Sequence, residues 1–309
     1  MKPNKKQLPK IIVIVGPTSS GKSDLAVKIA RKYNGEIISA DSRQVYGGLD
    51  IGTGKITKKE MFGVPHYMLD VASVKETYSV YEFSKTAEKI IRLILLTEKI
   101  PIVVGGTGFW IDTLIGNISL PNVSKNSSLR KNLEKKSVEE LFKTLLLIDR
   151  ARSKTIDRKN PRRLIRAIEI ALALGRVPRH IPKEKYNPLF IGIGITDKKL
   201  KKKISERTKK MLRAGLVLET LRLKKLGISD KRIFELGFEY STPLSYINKN
   251  ITKKELFEII NAKTWKYVKR QKQWFKKNEK IHWIVSQKES DKLILSFLEK
   301  TEYKDAYKK

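Results

Sequence analysis

The chain has 309 residues, of which 40% are hydrophobic and 32% charged, and it contains no cysteine. This length accommodates two domains or one core with a large insertion, and the lack of cysteine excludes disulfides, thiolate metal sites and cysteine nucleophiles. The apolar runs are far shorter than a membrane span, and residues 1–10 do not form a signal peptide. We therefore expect a cytoplasmic protein that has no membrane partner.

The positive charge is large and unevenly distributed. The formal net charge is +34 at pH 7; residues 1–120 carry 17 Lys and Arg against 11 Asp and Glu, whereas residues 121–309 carry 49 against 21. A field of this size attracts a polyanion and raises its encounter rate, which favours nucleic acid as the partner. A solvated lysine-rich surface is the alternative that charge alone leaves open.

A phosphate-binding pattern stands near the start of the chain. Residues 16–23 match G-x-x-x-x-G-K-[ST] at every defined position. The apolar run 11–15 predicts a buried strand before them, and Leu25 and Ile29 recur at helical spacing after them. Loop amides and a helix N-terminus would bind an anion, Lys22 would add charge, and Ser23 can hold Mg²⁺. The pattern does not tell whose phosphates are bound.

Further strands and helices place this loop in an open sheet. Strands are predicted at residues 36–40 and 102–104, and an amphipathic helix at 78–96 lies between them. Asp41 follows the first of these strands, and the glycine-rich turn 105–108 follows the second. Ligands bind at the carboxyl ends of strands in such sheets. The fold class is therefore α/β, with a P-loop-type open parallel sheet and flanking helices.

The pattern changes after residue 116. Helices are predicted at 138–148 and 161–174, a buried strand returns at 189–195, and the longest helix covers 252–277. We therefore predict an α/β core that begins in residues 1–116 and an all-helical insertion domain over residues 117–188. Residues 189–309 are predicted to hold the returning core strand and a basic helical C-terminal part.

Asp41 is the first candidate for chemistry beyond the loop. It can bind Mg²⁺, act as a general base, or cap the segment that follows it. The polar cluster of Ser42, Arg43 and Gln44 argues against a purely capping role. A GTPase is disfavoured because the chain has no D-x-x-G and no N-K-x-D, whereas a small-molecule kinase stays open.

Two basic segments are suited to RNA. Arg162 and Arg166 are four residues apart, on one face of a predicted helix. Residues 269–275 mix cations, amides and aromatic rings, which suits phosphate contacts and base stacking. Each segment alone is more often a solvated helix face, but together with the local charge they favour RNA.

The ordered motifs resemble the bacterial tRNA dimethylallyltransferase family over almost the whole chain. They occupy residues 16–23, 39–46, 50–53, 65–66, 105–108, 160–169, 215–219 and 269–271, followed by Trp274 and Phe275. Two stretches depart from the family pattern. Residues 237–240 read Gly-Phe-Glu-Tyr where the family has Gly-Tyr, a basic residue and an acid or amide. Lys272 and Gln273 replace a small apolar residue and a threonine.

The resemblance implies transfer of the dimethylallyl group from dimethylallyl diphosphate to the exocyclic amine of the adenosine 3′ of the anticodon in tRNA. It further implies Mg²⁺ as cofactor, a monomer, and binding of the tRNA anticodon stem-loop. An isopentenyl transferase acting on free AMP, ADP or ATP is the first alternative, and a P-loop small-molecule kinase is the second.

The resemblance also implies roles for individual residues. Catalysis is assigned to Asp41, as the base, with Lys22 and Thr18, and Ser23 would hold the metal. The diphosphate-binding residues would be Gly16, Pro17, Thr18, Ser19, Ser20, Gly21, Lys22 and Ser23. The tRNA-binding residues would be Asp41, Ser42, Arg43, Gln44, Thr107, Arg130, Arg162, Arg163, Arg166, Lys269, Arg270 and Gln271.

Overall fold

A computed structural model describes residues 8–179 and 181–299. The chain divides into two compact units, one combining the segments up to Gly116 and from Glu184, the other consisting of Asn117–Lys183. Residues 1–7, which belong to the segment predicted not to be a signal peptide, lie outside the described residues. The same holds for residues 300–309 of the predicted C-terminal part.

The first unit is built on one six-stranded parallel sheet. Its strands are β1 Lys10–Val15, β2 Gly35–Ser39, β3 His66–Tyr67, β4 Ile100–Gly105, β5 Asn187–Ile193 and β6 Ile281–Ile284. They lie in the order β3-β2-β4-β1-β5-β6. The central strands are rich in Ile and Val and are buried on both faces, as parallel strands covered by helices are. The predicted α/β fold with an open parallel sheet is confirmed.

Strand register brings the loops of the site together. Val15, the last residue of β1, pairs with Gly105 at the end of β4 and with Gly192 of β5. The segments that follow β1 and β4 therefore leave the same edge of the sheet side by side. A Cβ on Gly105 would lie 2.2 Å from the carbonyl oxygen of Ala40, so only glycine permits this close approach of β4 to the segment after β2.

Helices cover both faces of the sheet. The helices of this unit are α1 Lys22–Lys32, α2 Lys58–Met61, α3 Val80–Leu96, α4 Gly108–Ile115, α9 Asp197–Arg213, α10 Leu216–Lys225, α11 Asp230–Leu236, α12 Phe238–Ile247, α13 Lys253–Phe275 and α14 Gln287–Glu299. Helix α3 begins at Ser79, whose hydroxyl and Glu82 form a capping box. Its buried stripe includes Phe83, whose ring stacks on Trp110 of α4 at 4.4 Å.

The second unit is helical. Its helices are α5 Ser127–Leu133, α6 Val138–Ile148, α7 Arg150–Ser153 and α8 Pro161–Leu174. Helix α8 starts with Pro161 after the cap Asn160, and it ends before Gly175, which has φ +76°. Leucine and isoleucine side chains of α6 and α8 form a small core of their own.

The structure corrects some predicted boundaries. The second unit ends at Lys183, and β5 covers Asn187–Ile193 rather than 189–195, because Asn187 and Pro188 already pair with β1. Residue 188, the predicted end of the insertion, is therefore inside the sheet. The C-terminal part also contains β6, which sequence reasoning missed. This four-residue strand has exposed His282 and Trp283 in its middle, so it lacks a buried apolar run.

None of the helices within residues 8–179 and 181–299 combines the length and apolar composition needed to cross a membrane.

Candidate functional site

A cleft of about 520 Å³ opens at the carboxyl ends of the central strands in the first unit. Its walls include the loop after β1, Asp41, the segment around Thr53, and Arg207 of α9. A second cavity of about 160 Å³ shares Thr18, Lys22, Asp41 and Arg207 with it. Most residues predicted to bind diphosphate or to act in catalysis therefore meet in one place.

The loop after β1 presents unsatisfied polar groups. Gly21 precedes α1 with φ +94°, a left-handed conformation that glycine adopts without strain, and it supplies no side-chain cap for the first turn. The hydroxyls of Ser19 and Ser20 are buried, and no described residue forms a hydrogen bond with them. Open amides at a helix N-terminus beside orphaned hydroxyls are suited to an anion.

Two cations lie beside this loop. The pKa of Lys22 is lowered to about 8. Burial is the largest cause and the charge of Arg207 acts in the same direction, whereas the charge of Asp41 opposes both. Arg207 donates to Thr18 Oγ1 at 2.5 Å and to the carbonyl of Thr53 at 2.9 Å. Among the described residues, no carboxylate forms an ion pair with Lys22 or Arg207. Their charge is available to a bound anion.

Asp41 holds a defined orientation. Its Oδ1 accepts hydrogen bonds from the amides of Arg43 at 2.9 Å and Gln44 at 3.4 Å. The residues after it form turns rather than a helix, so Asp41 caps a turn and not a helix. Within the described chain, no hydrogen bond uses Asp41 Oδ2. Asp41 lines the cleft together with Lys22.

The remaining residues of this cluster have different surroundings. Gln44 accepts from Ser39 Oγ at 3.2 Å and donates weakly to the carbonyls of Thr53 and Gly54, so its amide is engaged within the protein. The Ser42 amide donates to Thr107 Oγ1 at 3.3 Å, which ties the segment after β2 to the turn after β4. Ser42 and Arg43 line the smaller cavity.

Helix α13 contributes both buried and exposed residues. Gln271 is 5% exposed and accepts from the Thr18 amide at 2.9 Å, while its Nε2 donates to the carbonyl of Gly106 at 3.0 Å. Both ends of its amide form hydrogen bonds inside the protein, which contrasts with the implied tRNA contact. Lys269 and Arg270 are exposed, and Arg270 lines the smaller cavity.

The four arginines of the second unit that were predicted to bind tRNA fall into two groups. Arg130 donates to Glu169 at 2.9 and 2.5 Å, and Arg166 pairs with the same carboxylate and donates to the carbonyl of Val123. These two guanidinium groups therefore stabilise the second unit by joining α8 to α5 and to the segment before it. Arg162 and Arg163 are exposed; Arg163 lies 3.7 Å from Asp157.

The pKa of Glu169 reflects this arrangement. Burial alone would raise it, but hydrogen bonds from Arg130, from the Asn126 amide and from Arg166 lower the pKa to about 2. The carboxylate therefore remains charged at neutral pH and keeps both arginines in place.

Sequence reasoning assigned no site role to Arg207, Glu239 or Tyr267, all of which line the smaller cavity. Arg207 carried a signal, because it lies on the stripe of α9 whose buried members are Leu200, Ile204, Thr208 and Met211. A lone arginine on a buried stripe indicates an internal partner or a ligand. Burial raises the pKa of Tyr267 to about 12, and Asp41 adds to this effect, so this phenol is neutral.

The protein offers few ligands for a cation. Among the described residues, no three His, Cys, Asp or Glu side chains form a cluster that could hold a metal ion. The Ser23 hydroxyl lines the cleft on the first turn of α1, next to the orphaned Ser19 and Ser20 hydroxyls. Mg²⁺ often takes only one or two protein oxygens and completes its shell with water and substrate phosphates. This donor set fits Mg²⁺ bound jointly by Ser23 and a phosphate-bearing substrate.

Known proteins resemble this chain over most of its length. Residues 44–278 match the family model described as IPP transferase. A tRNA dimethylallyltransferase of Acetivibrio thermocellus is 38% identical over 93% of this chain and 96% of the relative, and one of Anoxybacillus flavithermus is 36% identical over 89% and 90%.

Solved structures agree with these matches. A crystal structure of a tRNA delta(2)-isopentenylpyrophosphate transferase from Staphylococcus epidermidis has a TM-score of 0.70 and 35% identity, and the match covers 95% of this chain and 100% of that one. A eukaryotic dimethylallyltransferase acting on tRNA shares the fold, with a TM-score of 0.85 at 23% identity over 96% of this chain and 81% of that one. The chain belongs to the IPP transferase family.

Proposed function

We propose that this protein transfers the dimethylallyl group of dimethylallyl diphosphate to the exocyclic amine of the adenosine 3′ of the anticodon in tRNA and releases diphosphate. The observation that carries the proposal is that an anion-binding loop, Lys22, Arg207 and Asp41 meet in one cleft of a chain from this family. No carboxylate in the described part of the chain forms an ion pair with either of the two cations. The names of the relatives, which are tRNA dimethylallyltransferases, support tRNA as the acceptor.

The loop after β1 binds the diphosphate. Its open amides and the hydroxyls of Ser19 and Ser20 donate to phosphate oxygens, and Lys22 and Arg207 balance their charge. An allylic diphosphate ionises readily once its leaving-group charge is neutralised, and donors held in place before the reaction provide that neutralisation. Thr18, held by Arg207 and Gln271, keeps the loop in its binding conformation.

Asp41 acts on the acceptor. The amine of adenine is a poor nucleophile because its lone pair is delocalised into the ring, and it loses a proton as the new carbon–nitrogen bond forms. Asp41 lines the cleft with Lys22, and its carboxylate takes that proton. The two amides that bind Oδ1 fix the carboxylate in this orientation.

Ser23 would hold Mg²⁺ together with the diphosphate, and the bound ion would add positive charge that stabilises the leaving group. The rest of the diphosphate charge is met by Lys22, Arg207 and the loop amides.

The protein surface favours a polyanionic acceptor over a free nucleotide. Residues 121–309 carry most of the excess positive charge, and Lys269 and Arg270 are exposed on α13, with Arg270 at the mouth of the smaller cavity. A free nucleotide carries too few phosphates to engage so wide a cationic surface. Arg162 and Arg163 supply exposed charge on the second unit, which we assign to the anticodon arm of tRNA.

The test uses radiolabelled dimethylallyl diphosphate and three acceptors: an unmodified tRNA transcript with adenosine 3′ of the anticodon, the same transcript with guanosine there, and AMP. We expect label only in the first. Label in AMP but not in tRNA would establish the free-nucleotide alternative. ATP turnover without prenyl transfer would establish the kinase alternative.

A further inference from the structure

Glu239 places a second carboxylate in the site. It is the second residue of α12, and it lines the cavity of about 160 Å³ together with Asp41, Arg43, Arg207 and Tyr267. The proposed reaction uses the first of these carboxylates and leaves Glu239 without a role.

The surroundings of Glu239 are unusual for an acid. A Cβ built on Gly237 would lie 2.8 Å from Glu239 Oε2 and 3.5 Å from Arg43 Nε, so the carboxylate and the guanidinium flank the same glycine. Within the described chain, Glu239 nevertheless forms no ion pair with Arg43 or Arg207, and no other residue donates a hydrogen bond to its carboxylate. Glu239 is half-buried, and a carboxylate withdrawn from water without such partners is costly to keep charged.

This environment changes the acidity of Glu239. Its pKa is raised to about 7, chiefly by the loss of hydration, with a smaller contribution in the same direction from the charge of Asp41. Its own backbone amide and the charges of Arg43 and Arg207 oppose this shift. A group that titrates near neutral pH can both accept and release a proton during turnover.

Asp41 needs such a partner. It takes a proton from the attacking amine in every cycle, and it must lose that proton before the next amine arrives. A cavity of about 160 Å³ has room for several waters, since each occupies about 30 Å³ of the liquid. The cavity walls provide polar partners for them, including Arg43, Thr18 and Tyr267.

We propose that Glu239 is a positioned proton acceptor of the transfer site, which receives through cavity water the proton that Asp41 takes from the amine. The proposal rests on the proposed function. The amine nitrogen bonds to the allylic carbon, the carbon–oxygen bond to diphosphate breaks, and its electron pair leaves with the diphosphate. The amine proton passes to Asp41 and then to Glu239, which regenerates the Asp41 carboxylate, and Glu239 releases the proton to solvent.

The other charged or titratable groups that line this cavity can be distinguished from Glu239 by the pH range in which they titrate. Lys22 of α1, whose pKa is about 8, titrates above neutral pH, and Tyr267 of α13, whose pKa is about 12, stays neutral. Arg43 after β2, Arg207 of α9 and Arg270 of α13 remain cationic in the neutral range. A loss of turnover as the pH falls through about 7 is therefore assigned to protonation of Glu239.

The test compares the wild type, Glu239→Gln, Glu239→Asp and the control Glu206→Gln, an exposed acid beside Arg207 on α9. For the wild type and Glu206→Gln we expect kcat for tRNA prenylation to fall as the pH drops below 7. Glu239→Gln should lose this dependence and lower kcat about tenfold, less than the 10²–10⁴ of direct base removal. KM for both substrates should be unchanged, and Glu239→Asp should restore part of the dependence.

A second measurement does not require activity. In protein labelled with ¹³C-glutamate, the carboxyl resonance that disappears in Glu239→Gln should titrate with a midpoint near 7. An unaltered pH profile in a folded Glu239→Gln variant, or a midpoint near that of free glutamate, would overturn the inference. Failure of the wild type to prenylate tRNA at any pH would instead overturn the proposed function.

Discussion

Gln271 accepts a hydrogen bond from the Thr18 amide at 2.9 Å and thereby joins the last long helix to the phosphate-binding loop. The other end of the same amide donates to Gly106 in the turn after β4, and a Cβ on Gly106 would lie 2.1 Å from Gln271 Nε2. One buried side chain therefore holds both glycine-rich segments of the site at a set separation.

Replacing Gln271 by Met keeps its length and removes both hydrogen bonds. The Thr18 amide and the Gly106 carbonyl then lack partners, and an unpaired buried polar group costs about 1–3 kcal/mol. We expect a lower free energy of unfolding in denaturant titration and a higher KM for dimethylallyl diphosphate. Gln273→Met, at an exposed position of the same helix, is the matched control. Equal behaviour of the two variants would contradict the bridging role.

Asp41→Ala removes the proposed base and leaves Lys22, Arg207 and the loop amides in place. We expect turnover to fall by about 10²–10⁴, the usual contribution of a positioned base. Diphosphate binding, measured by calorimetry, should largely persist. If diphosphate affinity fell as much as turnover, Asp41 would belong to the metal site instead.

Arg207→Gln removes a cation that lies beside Thr18 and has no carboxylate partner in the described chain. We expect diphosphate affinity to fall about tenfold or more, since charge-assisted hydrogen bonds to phosphate contribute about 1.5–3 kcal/mol. Lys209→Gln removes an exposed charge two residues away and serves as the control. Unchanged calorimetric affinity in Arg207→Gln would exclude it from the diphosphate site.

Arg162→Ala tests the exposed charge of the second unit. It should weaken tRNA binding. It should also reduce the steepness of log K against log salt by the amount that corresponds to about one phosphate contact. Arg166→Ala is an informative comparison, because it leaves Glu169 with one guanidinium fewer and should mainly lower thermal stability. An unchanged salt slope in Arg162→Ala would count against a phosphate contact there.

Glu169 makes the second unit sensitive to acid. Its folded pKa of about 2 lies below the ordinary value of 4.5, so its contribution to stability is complete above 4.5 and is lost as the pH falls towards 2. Glu169→Gln should remove this dependence and leave a less stable unit at neutral pH. Thermal unfolding followed by circular dichroism between pH 2 and 6 checks both expectations. The same acid dependence in the variant would assign the effect to other carboxylates.

Local patterns were sufficient for most of the fold. The β-branched run before residue 16 predicted β1, and the proline and glycine that frame α8 predicted both of its ends. These local patterns succeed because the spacing of apolar residues and the residues that cap a helix are both set by neighbours along the chain. β6 was not predicted because its pairing with β5 is a contact between distant segments, and its own residues are half exposed.

The sequence by itself determined the phosphate loop, Asp41, the open α/β sheet and the family, since each depends on residue types at set spacings. Only the tertiary structure decided which charges are free. Glu169 pairs with Arg130 and Arg166, and Gln271 bonds to the Thr18 amide. Arg207 and Glu239 reach the smaller cavity from two different helices. Spacing along a chain does not encode such partners, because the packing of distant elements brings them together. The phosphate-binding pattern predicted where an anion binds, and the folded core supplied the remaining charges around it.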